Sequence, residues 1–185
     1  MGTISFDNRV AIVTGAGGGL GRTHALALAA RGVKVMVNDL GGTASGEGGS
    51  LGPAEQVAQE IRDNGGEALA NGTSVTDEEG VAAMVQETMD AWGQVDILVN
   101  NAGILRDKTF HKGTLDDFRF VVDVHLMGTA ICTKAVWDHM RERGYGRVVM
   151  TTSSSGLYGN FGQSNYSSAK MAVIGLMNTL HLEGA

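Results

Sequence analysis

A doubly wound α/β sheet, with parallel strands and helices on both faces, is the fold class that this sequence predicts. Short apolar runs at residues 10–14, 33–37, 96–100 and 147–151 are separated by stretches long enough for crossover helices. The glycine-rich turn Thr14-Gly-Ala-Gly-Gly-Gly-Leu-Gly21 follows the first run and leads into a stretch, 20–31, of helical character.

The remaining elements follow in order. Arg31-Gly32 closes the first helix, Pro53 fits the first turn of the second, and Asn64-Gly65-Gly66 ends it. A weak strand at 67–75 completes the first β-α-β-α-β half. Thr76-Asp-Glu-Glu79 has capping-box spacing, with Thr76 as the cap of the third helix. Thr114-Leu-Asp-Asp117 starts a long helical region reaching about Arg143, and the last helix starts near Asn165. Residues 41–52, biased to glycine and serine, are an insertion expected to form a mobile surface loop. There are no internal repeats, and the chain is expected to be one domain spanning 1–185.

Composition narrows the function classes. The net charge of −6, from 14 basic and 20 acidic residues, argues against a nucleic-acid surface, though backbone N–H groups can still hold a phosphate locally. Cys132 is the only cysteine, which excludes an intramolecular disulfide and suits a reducing compartment. It has no neighbouring histidine or metal-ligand spacing, so it is expected to be a small core residue, and no metal site is expected. No signal-peptide core and no stretch approaching about 20 apolar residues is evident, so a cytosolic or organelle-matrix protein without a membrane partner is the expectation.

The turn and the last helix carry the chemistry. In strand-turn-helix context, Gly15, Gly19 and Gly21 let backbone turn tightly and approach a pyrophosphate over a helix N-terminus, with Leu20 in the same turn. Asp39 ends the second strand, where a carboxylate accepts from a ribose diol and repels a 2′-phosphate; this favours NAD over NADP. Tyr166 and Lys170 are four residues apart, which on a helix places phenol and ammonium on one face. A cation near a phenol favours phenolate, and such a group exchanges a proton with an alcohol. Ser153 stands at the carboxyl end of the run 147–151, where ligands bind in open α/β sheets. It lacks the Gly-x-Ser-x-Gly elbow of a hydrolase nucleophile.

Thr-Gly-x-x-x-Gly-x-Gly, Asn100-Asn-Ala-Gly103, Ser153 and Tyr166-x-x-x-Lys170, in this order, resemble the short-chain dehydrogenases/reductases over the whole chain. Val37-Asn-Asp-Leu-Gly-Gly42, Asn100-Asn-Ala-Gly-Ile-Leu-Arg-Asp107 and Tyr158-Gly-Asn-Phe-Gly-Gln163 are similar to the (3R)-hydroxyacyl-CoA dehydrogenase units of peroxisomal multifunctional enzymes of type 2 and their bacterial relatives. The resemblance implies a Rossmann-type fold and an NAD-dependent interconversion of a secondary alcohol and a ketone, on a 3-hydroxyacyl-CoA or similar lipid-like substrate. It implies that Tyr166 is the acid/base, that Lys170 lowers its pKa and holds the nicotinamide ribose, and that Ser153 bonds the substrate oxygen. Asn101, Ala102 and Gly103 would line the cofactor. A cytoplasmic setting, or a peroxisomal matrix in a eukaryote, goes with it.

Two positions depart from the family. His125 replaces the asparagine that helps relay protons to the lysine; it either joins that relay or is a satisfied interior residue. Ser74-Val75 stands where an adenine-binding aspartate is usual. The family also continues through two more strands, so the chain is expected to lack the last strands of the fold and much of a substrate wall, leaving the fifth strand as a sheet edge. A non-catalytic nucleotide-binding or assembly module is therefore one alternative. Another is a nucleotide-sugar epimerase, which shares Tyr-x-x-x-Lys but is disfavoured by the glycine spacing here. The family implies a homodimer or homotetramer through the fourth, fifth and last helices. Here Val121, Val122, Leu126, Ala130, Val136, Met140, Val173, Leu176, Met177 and Leu180 supply apolar positions at helical spacing, most of them read as intrachain core, since helix periodicity does not separate core from interface.

Overall fold

A computed structural model describes residues 4–185. Five parallel strands form one sheet in the order β3-β2-β1-β4-β5: β1 Val10–Thr14, β2 Lys34–Asn38, β3 Ala68–Asn71, β4 Ile97–Asn100 and β5 Arg147–Met150. All of the strands expected from the sequence are present, the weak third among them. The order reverses between β1 and β4, which opens a crevice at their carboxyl ends.

Strand alternation divides the core. Ala11, Val13, Val35, Val37, Ile97 and Val99 face helices α1 (Gly19–Ala29) and α2 (Gly52–Asp63). Ile12, Met36 and Leu98 face α3 (Glu78–Trp92) and α5 (Gly128–Glu142), where they meet Met84, Cys132 and Val136. A strand buried on both faces has no polar side, which is why these runs are continuously apolar. Burial pushes the Cys132 thiol up to about 12, in keeping with a core-filling cysteine.

Several local expectations need correction. The α3 cap is Asp77, not Thr76: the Asp77 carboxylate accepts from the Gly80 N–H at 3.1 Å, while the Thr76 hydroxyl pairs with Ser74 Oγ at 2.9 Å. Thr114 does cap α4 (Leu115–Val122), accepting from the Asp117 N–H. The long helical region is not one uniform helix, because a π-helical turn, Asp123–Met127, separates α4 from α5. A short helix not foreseen, α6 (Ser154–Tyr158), precedes α7 (Ser164–Glu183).

The helical run Leu115–Glu142 is 28 residues long and contains an 18-residue window of mean hydropathy 1.3, long and apolar enough to cross a membrane. The sequence reading found no such stretch. In the fold part of its apolar surface is core: Val121, Val136 and Met140 are buried, as is Val173 of α7, while Leu115 and Met127 are exposed. Met177 of the same expected interface set is exposed.

Residues 41–52 are better fastened than the expected mobile loop. The N–H groups of Thr43 and Ser50 bond the carbonyls of Glu47 and Leu40, and the Leu105 N–H bonds the Ala44 carbonyl. Glycine leaves the chain free to fold back on itself, and these bonds use that freedom to form a wall.

Candidate active site

A cavity of about 600 Å³ opens at the crevice between β1 and β4. Its walls come from the glycine-rich turn (Gly15, Gly17, Gly18 and Gly19), from Asp39 after β2, and from Ser74 and Val75 after β3. Asn101, Ala102 and Gly103 after β4 and Thr43, Ala44 and Gly46 of the 41–52 loop complete them.

The turn is held open by tight backbone packing. Gly15 has φ +62°, and a Cβ there would press 2.7 Å from Ala102 Cα. A methyl on Gly21 would collide with the Gly15 carbonyl and the Asn101 amide, so Gly21 is small because the protein itself fills the space. Neither Gly21 nor Leu20 lies on the cavity wall, and Leu20 is 68% exposed. Asn101 donates its side-chain amide to the carbonyls of Thr14 and Gly15, both at 3.0 Å. Thr14, which sequence reasoning passed over, is buried; its hydroxyl accepts from the N–H groups of Asn101 and Ala102 and donates to the Val99 carbonyl. It clasps the ends of β1 and β4, and its place at the head of the Thr-Gly motif was the available signal.

Asp39 also has structural bonds. One carboxylate oxygen accepts from the Gly17 N–H at 2.8 Å and the other from the Gly41 N–H at 2.7 Å. Each oxygen keeps lone-pair capacity for a hydroxyl donor.

The Tyr166 group lies beyond the inner wall of this cavity. His125 sits in the π-helical turn, and a side chain on Gly103 would run into its ring. Its Nε2 lies 3.1 Å from the Ile104 nitrogen and 2.8 Å from the Ile104 oxygen, so either neutral tautomer finds a partner there. Its Nδ1 is buried with no hydrogen-bond partner among the described residues. Burial first, and the Lys170 charge second, depress His125 from 6.5 to about 4. The imidazole meets the Tyr166 ring edge-on, with centroids 5.1 Å apart.

Lys170, only 4% exposed, places its Nζ 5.7 Å from the Tyr166 ring centroid and donates to the Thr151 carbonyl at 2.6 Å. Burial lowers it from 10.5 to about 8. Thr151 in turn donates its N–H to the Asn100 carbonyl, which ties the lysine to the end of β4. Ser153 caps α6 by accepting from the Ser155 N–H at 3.2 Å. The structure thus joins Tyr166, Lys170 and His125 in one cluster, one ring away from a glycine-cradled crevice.

A parallel sheet in this order, with that crevice and a Tyr-Lys pair at its edge, defines a nucleotide-binding oxidoreductase. The comparisons agree. The chain matches the short chain dehydrogenase family over residues 9–185, and it belongs to that family, whose members are oxidoreductases using nicotinamide cofactors. It is 54% identical to peroxisomal multifunctional enzyme type 2 of Drosophila melanogaster, across 100% of this chain and 30% of that protein. It is 53% identical to a short-chain type dehydrogenase/reductase of Mycobacterium tuberculosis, across 97% of this chain and 63% of that protein. Among solved structures, a short chain dehydrogenase from Mycobacterium avium superposes with a TM-score of 0.82 at 43% identity, covering 100% of this chain and 63% of that one. The chain therefore spans between about a third and about two thirds of the length of these relatives.

Proposed function

We propose that this chain is the NAD-binding and catalytic part of a dehydrogenase that interconverts a secondary alcohol and a ketone on a 3-hydroxyacyl thioester. The observation that carries this is the cluster of Tyr166, buried Lys170 and His125 against the wall of the glycine-cradled crevice. Bound there, NAD supplies the hydride acceptor. Gly15 and Gly19 would hold its phosphates, Asp39 its ribose diol, and Ser74, Val75, Asn101, Ala102 and Gly103 the rest of it. The carboxylate of Asp39 favours NAD over NADP.

Tyr166 takes the alcohol proton as hydride leaves carbon. Lys170 supplies positive charge beside the phenol and bonds the nicotinamide ribose. Ser153 orients the substrate oxygen. His125, with one nitrogen held at Ile104 and the other buried without a partner among the described residues, offers a polar atom in the cluster for proton exchange.

A lipid-like substrate is favoured by the exposed apolar rim of Leu157, Tyr158 and Phe161 on the approach to α7. Phe110 is also exposed, two residues beyond Lys108, whose N–H bonds the Gly162 carbonyl next to Phe161. Relatives named peroxisomal, in Drosophila melanogaster and Mus musculus, favour a peroxisomal setting for a eukaryotic source. A homodimer or homotetramer through α4, α5 and α7 goes with this reading.

The test is Tyr166→Phe in the longest natural form of the protein, assayed for NAD reduction on 3-hydroxyacyl-CoA substrates. The variant keeps ring packing and NAD binding but loses the acid/base atom, so turnover falls by roughly 10²–10⁴-fold. An unchanged rate would falsify the assignment.

A further inference from the structure

Residues 104–108 run from the end of β4 between the glycine-rich wall of the crevice and the start of α7. On one side the Leu105 N–H bonds the Ala44 carbonyl at 2.9 Å, and Arg106 Nε bonds the Ser45 carbonyl at 3.0 Å. On the other side the Arg106 carbonyl accepts from the Asn165 amide at 3.1 Å, and the Lys108 N–H bonds the Gly162 carbonyl at 2.9 Å. Asn165 is buried, and its side-chain oxygen accepts from the Tyr166 N–H at 2.8 Å.

Arg106 holds both sides at once. Its guanidinium pairs with Asp117 at 2.9 Å and lies over the Phe120 ring at 4.4 Å, which fixes the fork that reaches Ser45. Hydrogen bonds from Lys108 and Arg106 hold the Asp117 carboxyl below the usual carboxylate range, so that anchor stays charged. A planar guanidinium does this with two nitrogens in fixed geometry, which an ammonium does not.

We propose that Arg106 is a positioning residue that ties closure of the 41–52 loop to the placement of Tyr166. The loop forms a wall of the crevice, so a cofactor pressing on it also fixes the first turn of the catalytic helix. The catalytic consequence rests on the dehydrogenase reading above; the mechanical tie does not.

Amide hydrogen exchange on the 185-residue chain tests it, with Arg106→Met, which keeps an apolar stem over Phe120 but loses the Ser45 and Asp117 bonds. In the ligand-free variant, exchange quickens about tenfold at Leu105 on the loop side and also at Lys108 and Tyr166 on the catalytic side, while Ile12 in the core is unmoved. Asp117→Asn, which frees the guanidinium without altering Arg106, moves the same amides the same way. Acceleration confined to Leu105 in both variants overturns the proposal. With NAD added, the native chain gains protection on both sides and Arg106→Met only on the loop side. If the ligand-free result holds but NAD protects nothing in the native chain, the tie stands and the cofactor reading fails.

Discussion

Asp39 has two roles that pull on the same carboxylate. It bonds the Gly17 and Gly41 N–H groups, and in the proposed reading it would also accept from a cofactor ribose. Asp39→Ala with Leu40→Arg is expected to shift binding toward NADP in a titration with both cofactors, and to lower the melting temperature because two backbone donors lose their acceptor. Equal affinity of the unaltered chain for NAD and NADP would remove Asp39 as the determinant. His125 makes a different prediction. The unfolded chain takes up a proton near 6.5 and the folded chain only near 4, so between these values the unfolded state binds more protons. Stability is therefore lost as pH falls from above 6.5 through about 4, by on the order of 3 kcal/mol. Lys170 acts in the same sense at the alkaline end, where stability rises as pH climbs from about 8 toward 10.5. In His125→Asn, denaturant midpoints measured from pH 7 to pH 4.5 should decline less steeply than in the native chain; parallel declines would show that other groups carry the acid sensitivity. From its place in the family pattern, His125 was readable either as a member of a proton relay to Lys170 or as an interior residue. Its tautomer freedom and its unspent Nδ1 arise from Ile104, twenty-one residues away, and no local pattern shows that.

At the scale of elements, β1, β2 and β4 were legible because parallel strands buried on both faces must be apolar throughout. The helix starts were less so. Thr76-Asp-Glu-Glu79 offers two adjacent capping side chains, and the choice fell to Asp77 because Thr76 is drawn to Ser74. Asp77→Ala is accordingly expected to cost about 1 kcal/mol in thermal unfolding, and Thr76→Ala less. The reverse ranking would restore the capping box. The π-helical turn at Asp123–Met127 had no sequence signal of its own. It is held from outside: Gly128 packs against Val75, and the His125 ring against Gly103. A local bulge dictated by distant neighbours is invisible to a periodicity argument. The 41–52 loop shows the same limit, since glycine content announces freedom and not what the chain does with it.

Across the whole molecule, β5 is an edge strand, with Val149 50% exposed and the other long side of the strand unpaired among the described residues. A groove of about 660 Å³ lined by Trp137, Met150 and Met177 lies alongside. Unpaired apolar edges recruit other chains. Val149→Lys is expected to reduce concentration-dependent association of the 185-residue chain in light scattering, and an unaltered profile would show that β5 is not the sticking point. The sheet's class and parallel direction, the glycine turn, Asp39 and the Tyr166–Lys170 pair were determined by the sequence alone, because each depends on spacing within one element or across one turn. Which backbone groups those residues serve, where the long helix is interrupted, and how the 41–52 loop and Ile104 wall the crevice were decided only by tertiary structure. Those contacts join side chains far apart in the chain, and their geometry exists only once the sheet has brought the strand ends together.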